Sequence, residues 1–128
     1  MLRFDRGEEI ISSFKTFCEQ ENIISGFFYG LGACKNLKLA YYDIEEKKYL
    51  DKEYPEDMEI ANLTGNISQS DLGLVIHTHG TFSGKDFAAI AGHVVSAEVA
   101  VTCEIFLIKF EGPLARELDL KTGLKLLD

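Results

Sequence analysis

The sequence has little of what marks several common protein classes. It contains no tryptophan, only two prolines and three cysteines (Cys18, Cys34 and Cys103) among 128 residues. The cysteines lack the paired spacing of a zinc site or a disulfide framework, so we expect them to be reduced and mostly buried. No apolar run approaches the roughly 20 residues of a membrane span. The segment after Met1 also lacks the apolar stretch of a secretory signal, and we therefore expect a cytoplasmic protein.

Positive charge is scarce as well. The 13 Lys and Arg residues are outnumbered by 21 Asp and Glu residues, which gives a formal net charge of −8. A protein that binds DNA by itself normally presents a basic face, which neutralises phosphates and releases counterions. The lysines of this chain are scattered and mostly interleaved with acids. The charge therefore argues against direct DNA binding by this chain alone.

Apolar side chains are abundant enough for one core. The length fits a single domain over residues 1–128, and 46% of the residues are hydrophobic. Between Glu8 and Glu21 the apolar residues recur at helical spacing, which predicts one amphipathic helix. Gly7 or Asp5 is the predicted cap of this helix.

After the helix, the sequence changes to short segments rich in β-branched and aromatic residues. The predicted strands are Ile23–Tyr29, Leu37–Tyr42, Lys48–Tyr54, Met58–Ser68, Leu74–Phe82 and Glu98–Phe110. Short turn-like connections favour antiparallel neighbours, since parallel crossovers need a dozen or more residues. Gly30–Ala33 and Gly65–Asn66 predict bends or bulges, and Phe87–Val95 is ambiguous between a turn of helix and an irregular segment. The expected fold class is α/β of the α+β kind, with a mainly antiparallel sheet packed against the N-terminal helix.

All the histidines of the chain, His77, His79 and His93, are candidate metal ligands. Residues two apart on a strand point to the same side, so His77 and His79 project together. If the segment around His93 folds back beside them, the three imidazoles would hold Zn²⁺ or another divalent ion and leave one position open. Alternatively, the histidines line a polar cleft or a subunit interface and hydrogen-bond to backbone or to Glu104.

Glu59 and Glu104 are the acids most relevant to such a site. Each is embedded in an apolar predicted strand, where an ionised carboxylate is costly unless it is paired. Either carboxylate would orient an imidazole or accept a proton there. The alternatives are a buried salt bridge with Arg116 or Lys109, or an outward position on the solvent face of the sheet.

Eight stretches of the chain, taken in order, match the pattern of a known family. They are Gly7–Ile10, Gly30–Ala33, Leu39–Asp43, Glu59–Ile67, His77–His79, Gly92–His93, Thr102–Ile105 and Arg116–Leu124. Their order and spacing over essentially the whole chain resemble the plant and prokaryote conserved domain, the PPC or DUF296 family. The resemblance implies a single antiparallel sheet flanked by helices, assembled as a homotrimer.

The resemblance also bears on partners. In plants, such domains follow basic AT-hook segments that enter the DNA minor groove, and the domain itself mediates assembly with partner proteins. This chain has no AT-hook, and Asp57–Met58 stand where the plant domain carries an Arg-Phe pair before Glu-Ile. Because of this difference, the partner-binding role of the plant domain is less readily assigned to this chain. Stand-alone prokaryotic members look like this chain, and their DNA-binding label is an analogy.

Three functions follow from these observations. The first is a non-catalytic homotrimeric binding and assembly domain whose histidine-lined cleft holds a metal or a small anionic ligand. The second is a DNA-associated transcriptional regulator, which would need a basic element that the net charge does not reveal. The third is a metal-dependent hydrolase in which Glu59 or Glu104 acts as the base. The sequence favours the first, because it fits the acidic charge and no residue pattern names a substrate.

Overall fold

The computed structural model describes residues 1–128, and most of the chain is β-strand. The elements in chain order are β1 (Leu2–Asp5), α1 (Ile10–Gln20), β2 (Gly26–Asp43), β3 (Lys48–Tyr54), β4 (Met58–Ser70), β5 (Gly73–Ser83), β6 (Ala89–Lys109), β7 (Arg116–Leu118) and β8 (Lys125–Leu127). The helix and β3 to β5 lie where the sequence predicts them, with differences only at their ends. The remaining strands β1, β7 and β8 are not predicted from the sequence, and each of them has four residues or fewer.

The helix follows the amphipathic pattern of its sequence. Ile10, Phe14 and Cys18 recur one turn apart and are all buried. Phe14 packs edge-to-face against Phe28 of β2, with ring centroids 4.8 Å apart. The helix thereby covers one side of the sheet and completes the core. With 11 residues, α1 is too short to span a membrane.

The start of the helix differs from the prediction. The carboxylate of Glu9 accepts hydrogen bonds from the backbone N–H groups of Ile11, at 3.2 Å, and Ser12, at 2.7 Å. Glu9 is therefore the N-cap, and the predicted cap at Gly7 or Asp5 is wrong. The side chain of glutamate is long enough to reach back to these unpaired N–H groups, although shorter side chains are more common at this position.

The second strand is longer than predicted. Ile23–Tyr29 and Leu37–Tyr42 were expected as separate strands, but they are joined in the single strand β2. The predicted irregularity at Gly30–Ala33 is present as a register shift that bends the strand without ending it. A Cβ atom at Gly32 would lie 2.1 Å from the carbonyl oxygen of Thr102, so glycine allows β6 to pass close to this bend.

The last long strand begins earlier than predicted. Phe87–Val95 was expected to form a turn of helix or an irregular segment, yet β6 is extended from Ala89 onward. This part of β6 pairs with β5, with His93 directly opposite His79. Pairing with a neighbouring strand therefore overrides the helix preference of the local alanines.

The sheet is antiparallel throughout and joins to itself. Its strand order is β1-β6-β5-β4-β2-β3, and β6 also pairs with β2. Strands β2, β4, β5 and β6 therefore form a closed ring. Inward side chains of this ring and the buried face of α1 form one hydrophobic cluster. We call the opposite side of the ring the outer face. The small β7–β8 hairpin contacts β4, where Nε of Arg116 donates to Ser68 Oγ at 2.7 Å.

The bulge predicted at Gly65–Asn66 is wrong. β4 and β5 keep regular register there, and the irregularity of this pair lies between Ile60 and Asn62. A side chain at position 65 would instead collide with the core, since a Cβ atom of Gly65 would lie 2.6 Å from the ring of Phe28. Glycine therefore marks a close approach of packed groups at this position, and not a turn of the backbone.

Candidate metal centre

Alternate residues of β5 face opposite sides of the sheet. Thr78, Gly80 and Phe82 are buried, while His77 and His79 point to the outer face. The two imidazole rings meet edge-to-face with centroids 5.1 Å apart. The period of the strand thus aligns these two side chains, as the sequence predicts.

His93 reaches the same place from β6. Its ring centroid lies 5.4 Å from that of His79 and 5.2 Å from that of His77. One ring nitrogen from each of the three side chains lies within 4.8 Å of the others. The structure therefore brings all three histidines together in one cluster, which we call the histidine triad.

The composition of the histidine triad suits a borderline metal ion. Imidazole nitrogen is a preferred ligand of Zn²⁺, with Zn–N distances of about 2.0–2.1 Å, and three histidines form one of its known ligand sets. No cysteine or carboxylate belongs to the cluster. His77, His79 and His93 would hold the ion, and a tetrahedral ion would retain a position for a ligand from outside the chain.

The protonation of the triad also favours metal binding. Burial, followed by the charges of Arg116, His93 and His79, lowers the pKa of His77 to about 4. Burial and the charge of His79 lower the pKa of His93, and the charge of Asp51 raises it by less. Both imidazoles are therefore neutral at neutral pH, and each ring then has one nitrogen lone pair, the group through which histidine binds a metal.

Arg116 of β7 lies against the histidine triad. Its Nη2 is 3.2 Å from Nδ1 of His77. The same guanidinium donates to Ser68 Oγ at 2.7 Å, Asn66 Oδ1 at 2.9 Å and the carbonyl oxygen of Lys125 at 2.8 Å. It forms no ion pair with any acid. Since a guanidinium only donates, Nδ1 of His77 is the acceptor in this contact.

Other groups complete the surroundings. The ring of Tyr49 on β3 lies 5.5 Å from that of His93. A cavity of about 240 Å³ opens beside the triad and is lined by Phe27, Thr64, Gly65, Asn66, His77 and His79. No motif of the sequence marks Tyr49, and the sequence indicates Arg116 only as a salt-bridge partner. The sequence places Arg116 in the last of the stretches that resemble the family pattern, but that resemblance does not point to a contact with the histidines.

The structure does not place the predicted glutamates beside the imidazoles. Glu59 is exposed on β4 opposite Ser83, and Glu104 is half-buried on β6 opposite Leu31. Strands advance about 3.3 Å per residue, so the length of β6 between His93 and Glu104 excludes a contact. The alternation of side chains along a strand indicates which face of the sheet an acid occupies. It does not indicate how far along the strand the acid lies from the histidines.

The alternative pairings of the two glutamates are also absent. Neither Glu59 nor Glu104 forms an ion pair with Arg116 or Lys109. Glu59 instead has the outward, solvent-facing position that was the second alternative. A hydrogen bond between the histidines and Glu104 does not form, because the two lie in different parts of β6.

Fold and site together define a class: an α+β domain with a mainly antiparallel sheet and a cluster of three histidines on the outer face. Residues 1–111 match the model of the Plants and Prokaryotes Conserved (PCC) domain. The chain belongs to this family, as its motifs predict. The remaining segment, which includes Arg116, lies beyond the matched residues.

Solved structures of related proteins share this fold. A metal-containing protein from Archaeoglobus fulgidus is 36% identical, with a TM-score of 0.92 over 98% of this chain and 89% of that one. A PPC protein from Pyrococcus horikoshii is 31% identical, with a TM-score of 0.93 over 99% of this chain and 88% of that one. A protein from Bacteroides thetaiotaomicron, described provisionally as DNA-binding, is 33% identical, with a TM-score of 0.95 over 98% and 88%. No curated protein matches the chain.

Proposed function

We propose that this chain is a non-catalytic homotrimeric binding and assembly domain that holds a divalent metal ion, Zn²⁺ or a similar ion, at His77, His79 and His93. The observation that carries the proposal is the convergence of the three imidazoles, whose nitrogens lie within 4.8 Å of one another. Among the ring nitrogens of the three histidines, only Nδ1 of His77 has a hydrogen-bond partner in the chain. A metal would supply a partner for ring nitrogens of His79 and His93, and at His77 it would replace the contact with Arg116.

A related structure supports the metal. The Archaeoglobus fulgidus protein is described as metal-containing, and it is 36% identical to this chain over 98% of its length. The similarity makes a metal chemically reasonable for this fold. The donor set of the present chain favours a nitrogen-seeking ion such as Zn²⁺ over Ca²⁺ or Mg²⁺, which prefer oxygen ligands.

The surroundings of the triad favour binding over catalysis. A hydrolase that activates water on a metal also needs a base within reach of that water. Glu59 and Glu104, the two acids predicted for this role, lie elsewhere on the sheet. Arg116, which does lie against the triad, can only donate hydrogen bonds and therefore suits the holding of a ligand.

An apolar surface beside the site supports the assembly. Tyr29 and Phe106 stack on the outer face with ring centroids 5.1 Å apart. Phe27 and Ile108 are paired next to them, and between 40% and 59% of each of these four residues is exposed. We call these four residues the apolar patch. Contiguous apolar surface of this kind marks interfaces, and other copies of this chain are the partners that we propose, in line with the homotrimer that the family pattern implies.

DNA-associated regulation is a second candidate, favoured by the description of the Bacteroides thetaiotaomicron relative. The net charge of −8 opposes direct contact between this chain and phosphates. Several of its lysines are moreover engaged in ion pairs with acids, among them Lys35 with Glu98 at 2.9 Å and Lys38 with Asp51 at 3.0 Å. Any association with DNA would then run through a partner protein that carries the basic surface.

Elemental analysis of the protein, purified without a histidine tag, tests the metal centre. We expect about one metal ion per chain in the wild type, and loss of the metal in His79→Ala, because removal of one of three ligands weakens binding strongly. Thr81→Ala is the matched control, since Thr81 follows His79 on the same face of β5. A His79→Ala protein that retains the full metal content would overturn the proposal.

A further inference from the structure

We propose that the metal centre takes a small oxyanion as its ligand from outside the chain, and that Arg116 is the residue that holds this oxyanion. The inference rests on the proposed metal site and names the class of ligand that the site accepts. Three observations support it: the charge of the site, the contact between Arg116 and His77, and the hydrogen bonds that fix the guanidinium.

With a metal bound, the site would carry an excess of positive charge, which favours the binding of an anion. Histidine binds a metal through a neutral imidazole, and the triad contains no carboxylate, so a divalent ion would keep both of its positive charges. Arg116 adds a third positive charge and has no acid partner. Asp51 acts on His93, but it is already bound to Lys38 at 3.0 Å. Uncompensated charge in a partly buried site is costly, and an anion bound to the metal removes this cost.

The contact between Arg116 and His77 cannot coexist with a bound metal. Arg116 donates to Nδ1 of His77, which uses the lone pair of that nitrogen. If the metal binds Nδ1, the lone pair is no longer free. If the metal binds Nε2, the proton of the neutral ring lies on Nδ1 and faces the N–H of the guanidinium. In both cases, binding of the metal to His77 removes the acceptor of one Arg116 N–H group.

The remaining hydrogen bonds keep Arg116 in place when that acceptor is lost. Ser68, Asn66 and the carbonyl oxygen of Lys125 all accept from the guanidinium at 2.7 to 2.9 Å. One N–H therefore stays directed at the triad without an acceptor. An oxygen of a metal-bound oxyanion would accept it in a charge-assisted hydrogen bond. The cavity of about 240 Å³ that is lined by His77, His79 and Asn66 adjoins this position and has room for the rest of a small molecule that carries a carboxylate or a phosphate.

Cobalt provides the readout, because the visible absorption of Co²⁺ reports on its ligands. Wild-type protein loaded with Co²⁺ is titrated with acetate in one arm and with inorganic phosphate in the other. We expect the absorption to change with the favoured oxyanion and the affinity for it to fall by about tenfold or more in Arg116→Gln, since hydrogen bonds between charged groups are the strong ones. The two arms distinguish carboxylate from phosphate. Lys121→Gln removes an exposed charge of the same hairpin and is the matched control.

The same experiment tests whether the Arg116 variants fold and whether Co²⁺ and the oxyanion raise each other's affinity. Arg116→Lys keeps the charge but loses the planar donor group, so we expect an intermediate affinity, and this variant replaces Arg116→Gln if circular dichroism shows that the latter is unfolded. In the wild type, saturating oxyanion should raise the affinity for Co²⁺ by the factor by which Co²⁺ raises the affinity for the oxyanion. Equal oxyanion affinities in wild type and Arg116→Gln, with Co²⁺ bound in both, would overturn this inference alone. Absence of Co²⁺ binding by the wild type would overturn the metal centre as well.

Discussion

Gly65 of β4 lies directly against the carbonyl group of His77 on β5. A Cβ atom at Gly65 would be 2.1 Å from that oxygen and 2.6 Å from the ring of Phe28. Real Cβ atoms do not approach other atoms so closely, so the two strands keep their spacing only because Gly65 has no side chain. The position of His77 in the triad therefore depends on a glycine in the neighbouring strand.

We expect Gly65→Ala to reduce the free energy of unfolding by about 1–3 kcal/mol, because the added methyl group must displace backbone and a buried ring. Urea denaturation of the metal-free protein measures this change. Gly84→Ala is the control, since its Cβ would meet only Asp86 Oδ1 at 3.9 Å, and we expect a change below about 0.5 kcal/mol. Equal effects of the two substitutions would show that the close approach carries no energetic cost.

The cysteines should be unreactive in the folded protein. Burial raises the pKa of Cys34 and of Cys103 to about 12, and that of Cys18 to about 11. The thiolate is the reactive form, so iodoacetamide at about pH 8 should leave the native thiols unmodified and alkylate all of them in guanidinium chloride. Mass spectrometry counts the added groups. Rapid alkylation of native Cys34 would contradict this description of the core.

The same pKa shifts predict a dependence of stability on pH. A group whose pKa is raised by folding contributes its stabilisation below the pKa of the unfolded state and loses it as the pH rises through the folded value. For Cys34 the pKa rises from 9.0 to about 12. We therefore expect the free energy of unfolding to fall as the pH rises from about 9 toward 12, and to fall less in Cys34→Ala. Identical pH profiles for wild type and variant would contradict the shift.

Assembly should depend on the apolar patch. Light scattering coupled to size exclusion should give three times the chain mass of 14.3 kDa for the wild type. Tyr29→Glu places a charge in the stacked pair with Phe106 and should shift the protein toward the monomer. Tyr41→Glu is the control, since Tyr41 is also exposed on β2 but lies outside the patch. A monomeric wild type would exclude the homotrimer.

Duplex DNA should not bind to the chain alone at physiological salt. The net charge of −8 repels phosphates at long range, and this repulsion is screened only in part under these conditions. An electrophoretic shift assay that begins at low salt and proceeds to higher salt measures the effect. A shift that persists at physiological salt would favour a direct regulator with a basic surface that the net charge hides.

The sequence predicts the first part of the candidate site well, because the alternation of a strand is a local property. His77 and His79 are two residues apart, and this spacing alone places them on one side of β5. His93 required a further condition, namely that its segment pair with β5. The alanines of this segment favour a helix in isolation, so the sequence did not indicate a strand there. The segment becomes a strand because it pairs with β5.

The rest of the site depends on contacts between distant parts of the chain. Arg116 meets His77 across 39 positions of sequence, through a short hairpin that no periodicity marks. Glu59 and Glu104 were predicted beside the imidazoles from their apolar neighbours. Burial and alternation do not determine the register of one strand against the next, and this register places both acids away from the triad.

The most direct test of the account is the anomalous diffraction of crystals grown or soaked with Zn²⁺, recorded above and below the zinc absorption edge. We predict one strong anomalous peak per chain between His77, His79 and His93, with three nitrogens at about 2.0–2.1 Å from it. Crystals of His93→Ala treated in the same way should lack this peak. A wild-type structure with no peak at the triad, or with zinc bound only by surface carboxylates, would contradict the central claim.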